Sequence, residues 1–189
     1  MRKEFFIMAK LINGTRVVTN EVRASYAYVV EPKSMDEGDP KYSLQVIIPK
    51  ADKETLDLIN KAIDQAITDG IAKFGGKRPN KAALKLPLRD GDVEREEEEY
   101  QDAYFINCNN KMAPQVVDAS RHPVDPGTIY SGCYIRVSIS FFAFSRNGNR
   151  GVAASLGNIQ FLRDGESLGG AHITAADDFG EAEDDDFLS

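Results

Sequence analysis

The chain has 189 residues, 42 % of them hydrophobic, which suffices for one sizeable core and is short for two, so a single domain with appendages is expected. No apolar run approaches the roughly 18 residues of a membrane span, and the apolar part of MRKEFFIMAK is too short for a secretion signal, so a cytoplasmic, membrane-free protein is expected. The net charge of −7 is unevenly spread: 175–189 carries seven acids and no base, and 90–102 carries eight acids against Arg95 alone. The remainder holds 15 acids and 22 bases, so its surface is compatible with a polyanionic partner that the total charge would argue against.

Residues 1–14 read as an N-terminal extension, with Met8 as a possible alternative start, and the domain is expected to span 15–170. Thr15 to Glu31 alternates, with Val22, Ala24, Tyr26, Tyr28 and Val30 on one face, which predicts a half-buried strand. After the turn-rich Pro32 to Pro40, Lys41 to Ile48 alternates again, with Tyr42, Leu44, Val46 and Ile48 inward. Asp52 then stands where a helix needs a cap. Leu56, Ile59, Ile63, Ala66, Ile67, Ile71 and Phe74 recur at helical spacing to about residue 74, and Gly75 and Gly76 end the run.

Lys77 to Arg89 holds five bases and no acid; Lys77 and Arg78 suit phosphate contacts, while Leu84, Leu86 and Leu88 suit an edge strand interrupted by Pro87. The acidic block 90–102 reads as a mobile charged loop. Asp90, Asp92 and Glu94 resemble the start of a calcium loop, but Arg95 stands where that loop needs Gly. Ala103 to Cys108 and Gln115 to Asp118 read as short extended pieces. Cys108 and Cys133 have no CxxC companion, so buried, reduced thiols are expected rather than a disulfide or a zinc site.

Ile129 to Arg146, IYSGCYIRVSISFFAFSR, carries the strongest functional signal. Its odd positions Ile129, Cys133, Ile135, Val137, Ile139, Phe141 and Ala143 form an apolar face that needs a core. The even positions interleave the rings of Tyr130, Tyr134, Phe142 and Phe144 with the guanidinium groups of Arg136 and Arg146. Two readings fit that second face. It offers stacking platforms and cations to unpaired nucleic acid, with Lys111 and Arg121 as further phosphate contacts, or it packs as a strand covered on both sides. A glycine-rich turn follows, and Gly157 to Arg163 reads as a last strand. Strands dominate, with one helix between the early and late ones. The fold class expected is mainly β: an OB-fold-like five-stranded barrel with an inserted helix and a disordered acidic tail at 171–189.

No nucleophile elbow, phosphate-binding glycine loop or metal-ligating histidine pair is present, and no cofactor is expected. The catalytic alternative is a metal-dependent nuclease using Asp90, Asp92 and Glu94, which have no nearby histidine or lysine in the sequence to act as acid or base. A third class is a protein adaptor acting through the tail without binding DNA.

TRVVTNEVRASYAYVVEP at Thr15 to Pro32, LPLRDGD at Leu86 to Asp92, and YSGCYIRVSISFFAFSRNGNRGVAASLGNIQFLRDGESLGG at Tyr130 to Gly170 together resemble a family of phage and prophage single-stranded DNA-binding proteins. The resemblance implies an OB-type barrel that coats single strands in the bacterial host during replication or recombination. EDDDFLS at Glu183 to Ser189 is similar to the acidic tails of bacterial and podophage single-stranded DNA-binding proteins, which dock on replication enzymes. Asp184, Asp185 and Asp186 with Phe187 and Leu188 would form that docking tip, although Ser189 leaves the aromatic short of the terminus. A tethered polyanion also competes for a basic groove at an effective concentration on the order of millimolar. Deleting Asp177 to Ser189 is therefore expected to tighten oligo-dT binding, most at low salt. A fluorescence titration of full-length against shortened chain checks this, and equal affinities count against it.

Overall fold

The computed structural model describes residues 8–34, 37–168 and 179. The tail residues Asp184, Asp185, Asp186, Phe187 and Leu188 lie outside them. Among the described residues no helix is long and apolar enough to cross a membrane.

Among the described residues nine strands form: β1 (Lys10–Ile12), β2 (Arg16–Val18), β3 (Val22–Lys33), β4 (Lys41–Pro49), β5 (Arg89–Asp90), β6 (Ala103–Asn110), β7 (Val116–Val117), β8 (Tyr134–Arg146) and β9 (Asn149–Arg163). Five of them close a ring. Antiparallel pairs join β3 to β4, β4 to β6, β9 to β8 and β8 to β3, and a parallel contact at Asn109 and Ser155 joins β6 to β9. This is the expected five-stranded OB-type barrel, its strands in chain order being β3, β4, β6, β8 and β9. β1 pairs with β2, and β2 with β8, so part of the stretch expected to be an extension belongs to the sheet. β9 is one continuous strand. Its pairing with β8 from Arg146↔Asn149 onward binds the residues before Gly157 that sequence alone left unassigned. Asn147 and Gly148, with φ of 50° and 78°, make the two-residue turn that suits a twisted hairpin.

The inward row of β8 follows its alternation. Ile129, Cys133, Ile135, Val137, Ile139, Phe141 and Ala143 are all buried. Helix α1 (Lys53–Asp69) packs against β8, β2, β1 and β9, burying Leu56, Ile59, Ala62, Ile63, Ala66 and Ile67 in the same core. Asp52 caps it by accepting from Thr55 N and also accepts from Asn20 Nδ2, while Thr55 Oγ1 accepts from Asn20 N. These bonds fix the helix start to the β2–β3 turn. The α-helix ends at Gly70 and continues only as a 3₁₀ turn, Ile71–Phe74, closed by left-handed Gly75.

Two expectations are corrected. Tyr26, Tyr28 and Val30 do not share a face with Val22 and Ala24. Between Ser25 and Tyr28 the register advances three residues on β3 against two on β4, a one-residue bulge, with Tyr26 at φ 43°. One extra residue inverts the parity of the residues that follow it, before a second irregularity between Tyr28 and Lys33, so Val29 enters the core while Tyr26 and Val30 are exposed and Tyr28 is half-buried. Second, the acidic block is folded. β5 pairs with β6, a short helix α2 (Gly91–Glu94) follows, and a 3₁₀ turn (Glu98–Tyr100) leads Tyr100 into a small second core with Ile47, Ala103 and Phe105. Tyr100 is 1 % exposed, meets Phe105 edge-on at 5.5 Å, and donates its hydroxyl proton to Gln45. The block's first three acids are paired locally, Asp90 (2.8 Å) and Asp92 (2.6 Å) by Lys50 and Glu94 (2.6 Å) by Arg89.

Gly70 lies where the helix end meets β8: a Cβ there would sit 2.2 Å from that of Ala143. Overpacking of this kind costs about 1–3 kcal/mol, so Gly70→Ala is expected to lower the urea midpoint accordingly. Adding Ala143→Gly should recover part of the loss, a coupling that a simple helix-propensity effect would not give.

Candidate nucleic-acid interface

Inverted parity after the bulge turns Tyr26 and Tyr28 toward a groove of about 860 Å³. Its floor is the outer side of β4 and β6, with Ser43, Gln45, Asn107 and Asn109. One wall carries Glu37, Gly38 and Asp39 from the connection between β3 and β4, and the other carries Arg146 from the β8–β9 hairpin. The described lining holds five bases, Lys33, Lys41, Arg95, Lys111 and Arg146, against Glu37 and Asp39. Arg146 is exposed and has no hydrogen bond or ion pair among the described residues. Lys111 pairs with Asp39 at 2.8 Å, and its proton donation holds the Asp39 carboxyl below its ordinary range.

The rings are held by cations. Lys33 Nζ sits 4.4 Å from the Tyr28 ring centre and donates to its hydroxyl at 3.1 Å. Arg95 lies 5.9 Å from the Tyr26 ring, 5.0 Å from Tyr100 and 5.3 Å from Phe105. The acidic segment therefore contributes a guanidinium, not a carboxylate, to the groove. Tyr26 remains 50 % exposed. Flat faces for stacking, cations for phosphates and the amides of Asn107 and Asn109 for base edges thus lie in one cleft.

The ten positions singled out in the sequence are not brought together. Lys111 and Arg146 line the groove. Phe142, 47 % exposed, and half-buried Phe144 precede Arg146 on the outer side of β8. Three others are engaged within the protein. Tyr130 bonds Asp164 (2.8 Å) and Gly165. The Tyr134 ring already carries Arg163 at 3.7 Å and Arg23 at 5.4 Å. Arg136 donates to Thr19 O and Met8 O, and its partial burial pulls its pKa down. Arg121 shares a shallow depression with Arg136 elsewhere on the barrel, Lys77 is exposed beyond α1, and Arg78 donates to Thr68 Oγ1. Sequence alternation missed Tyr26 and Tyr28 because it could not register the bulge. Asn107 and Asn109, alternating with buried Ile106 and Cys108, were legible as outward amides.

Asp90, Asp92 and Glu94 stand apart from this cleft. Lys50 and the Asp102 backbone N–H hold Asp92 below its ordinary carboxylate range, and among the described residues no three His, Cys, Asp or Glu side chains converge on a possible metal position.

A closed five-strand barrel whose second and third strands floor an open cleft, walled by the first–second and fourth–fifth connections, defines an OB-fold protein. The chain belongs to the family described as Enterobacter phage Enc34, ssDNA-binding protein, whose profile matches residues 15–188. Protein p50 of Acyrthosiphon pisum secondary endosymbiont phage 1 is 29 % identical over 187 residues, covering 92 % of this chain and 99 % of that protein. The single-stranded DNA-binding protein from bacteriophage Enc34, solved in complex with ssDNA, is 25 % identical with a TM-score of 0.68, over 88 % of this chain and 99 % of that one. The single-stranded DNA-binding protein gp2.5 of bacteriophage T7 shares the fold at 16 % identity and a TM-score of 0.58, over 96 % of this chain and 99 % of its own.

Cys108 lies beneath the groove floor, fully buried, and burial pushes its thiol up to about 12. Cys133 is buried too, and burial raises its thiol as well. Neither is expected to react with a disulfide reagent at mildly alkaline pH while the protein is folded, and both should react in guanidinium. Rapid labelling of the native protein would contradict the packing.

Proposed function

We propose that this chain binds single-stranded DNA in the groove between the β3–β4 loop and the β8–β9 hairpin. Bases stack on Tyr26 and Tyr28, base edges meet Asn107 and Asn109, and phosphates meet Lys33, Lys41, Lys111 and Arg146. The observation that carries this reading is the coincidence of a cationic, ring-bearing cleft with the barrel face that OB folds use for oligonucleotides. Family membership and the DNA complex of the Enc34 relative support the same partner. Phe142 and Phe144 extend the path along β8, whereas Tyr130, Tyr134, Arg136, Arg121, Lys77 and Arg78 do not line this groove and are left off it.

Backbone and stacking contacts read little sequence, so binding is largely sequence-tolerant and serves to coat strands during phage replication or recombination in the host cytoplasm. No reaction is required. The pairing of Asp90 and Asp92 with Lys50, and of Glu94 with Arg89, supports a structural role for these acids over a nuclease centre. In the acidic tail, Asp184, Asp185, Asp186, Phe187 and Leu188 recruit replication or recombination proteins, and the tail gates the groove when DNA is absent.

Fluorescence titration of oligo-dT at two salt concentrations tests the path. Tyr28→Ala is expected to weaken binding by about 1–3 kcal/mol, roughly 5- to 150-fold. Arg146→Ala should reduce the slope of log affinity against log salt by about 0.7. Asp39→Asn should tighten binding, because Lys111 loses its internal partner. Affinity independent of salt, or unchanged in all three variants, overturns the groove.

A further inference from the structure

A second cationic concavity lies on the outer side of β2, β8, β9 and β7. Cross-strand register builds it: Val18 faces Ser138, Arg136 faces Gln160, and Gln160 faces Val117. The resulting depression, about 280 Å³, is lined by Arg16, Arg121 and Arg136 with the amides of Gln115, Asn158 and Gln160, and by no acidic residue among those described. It shares no lining residue with the groove.

Three features separate this depression from an ordinary solvated face. Arg136 is half-buried and anchored by the carbonyls of Thr19 and Met8, a charge at the wall without a carboxylate partner among the described residues. Arg16 and Arg121 are exposed, and neither side chain has a hydrogen bond or ion pair among the described residues. Arg121 sits at φ 70°, a left-handed conformation disfavoured for a residue with a Cβ, in a turn held by Arg121 N to Asp118 O and His122 N to Asp118 Oδ1. That turn puts its guanidinium group at the rim. Elsewhere on the barrel many basic groups are matched: Lys50, Lys81, Arg89, Lys111 and Arg163 all carry acids.

We propose that this depression is a second phosphodiester-binding site, so that one chain holds two segments of single strand at once, one in the groove and one on Arg16 and Arg121 beside Arg136. The proposal rests on the reading of the chain as a single-strand binder and adds to it a second track. Guanidinium groups suit the task because their planar donors reach two phosphate oxygens together. The amides of Gln115 and Asn158 can complete the oxygens' shell, whereas Gln160 Nε2 is spent on Asp118 O and Ala119 O. The two segments are either the ends of one wrapped strand or two separate strands.

Native mass spectrometry of the full chain with an oligothymidylate of about 6 nucleotides, short for an OB-fold footprint, counts the sites. Two oligomers are expected on wild type, one on Arg16→Ala/Arg121→Ala, and one on Tyr28→Ala/Arg146→Ala. The arginine pair is chosen because neither side chain supports the fold, and Arg136 is left in place. Arg121→Lys, which keeps the charge, should retain the second oligomer. With a long strand, a complex of one strand whose salt slope drops by about 1.4 in the arginine variant indicates wrapping, and a complex of two strands indicates separate binding. A single oligomer on wild type that survives in the arginine variant overturns the second site. A single oligomer lost in the arginine variant but kept in the groove variant overturns the groove instead and leaves the arginine depression as the binding surface.

Discussion

Alternation of side chains along a strand, applied to strands that close into a ring, is the constraint on which this molecule rests. β8 touches β2, β3 and β9, and its odd positions are held inside by α1 and the opposing strands. Shifting that strand by one residue would bury Arg136 and Phe142 and expose Ile135, Val137, Ile139 and Phe141, which no local adjustment could offset. Closure therefore locks the register. The outward positions of β8 and of its paired neighbour β2, Arg136 and Arg16 among them, inherit their direction from this lock.

Against so rigid a frame, a single inserted residue has a large effect. The bulge at Tyr26 breaks the parity of β3 halfway along, giving its first half to the barrel closure with β8 and its second half to the groove. A tyrosine at positive φ costs something, and the surrounding pairs hold it: Ser25 against Gln45 on one side, Tyr28 against Ser43 on the other. Positive φ thus falls within the proposed groove at Tyr26 and within the proposed second site at Arg121.

The acidic segment shows how charge is subordinated to packing. Four consecutive glutamates, Glu96 to Glu99, would repel any phosphate they met, yet their neighbours are drawn inward by Tyr100 and by the contact of Arg95 with three rings. Covering the outer side of Ile47 and Phe105 removes apolar surface from water and leaves the rest of the β4–β6 face open as a cleft. Net charge, low in information when summed over the chain, becomes informative once its location is known.

Patterns local enough to be read from neighbouring residues were determined by the sequence itself: the inward row of β8, the alternation of β4, the Asp52 cap and apolar stripe of α1, and the mainly-β barrel with an inserted helix. Each rests on a period of 2 or 3.6 that needs no partner to be recognised. What only the tertiary structure decided is which outward residues meet. Tyr26 and Tyr28 joined the groove through a bulge set by pairing with β4. The acidic block folded because Tyr100 found Phe105 and Gln45, and Tyr134 and Arg136 were claimed by partners far away in sequence, Arg163 and Thr19. Long-range pairing brings together residues whose separation along the chain carries no signal, and a binding surface is made of such residues.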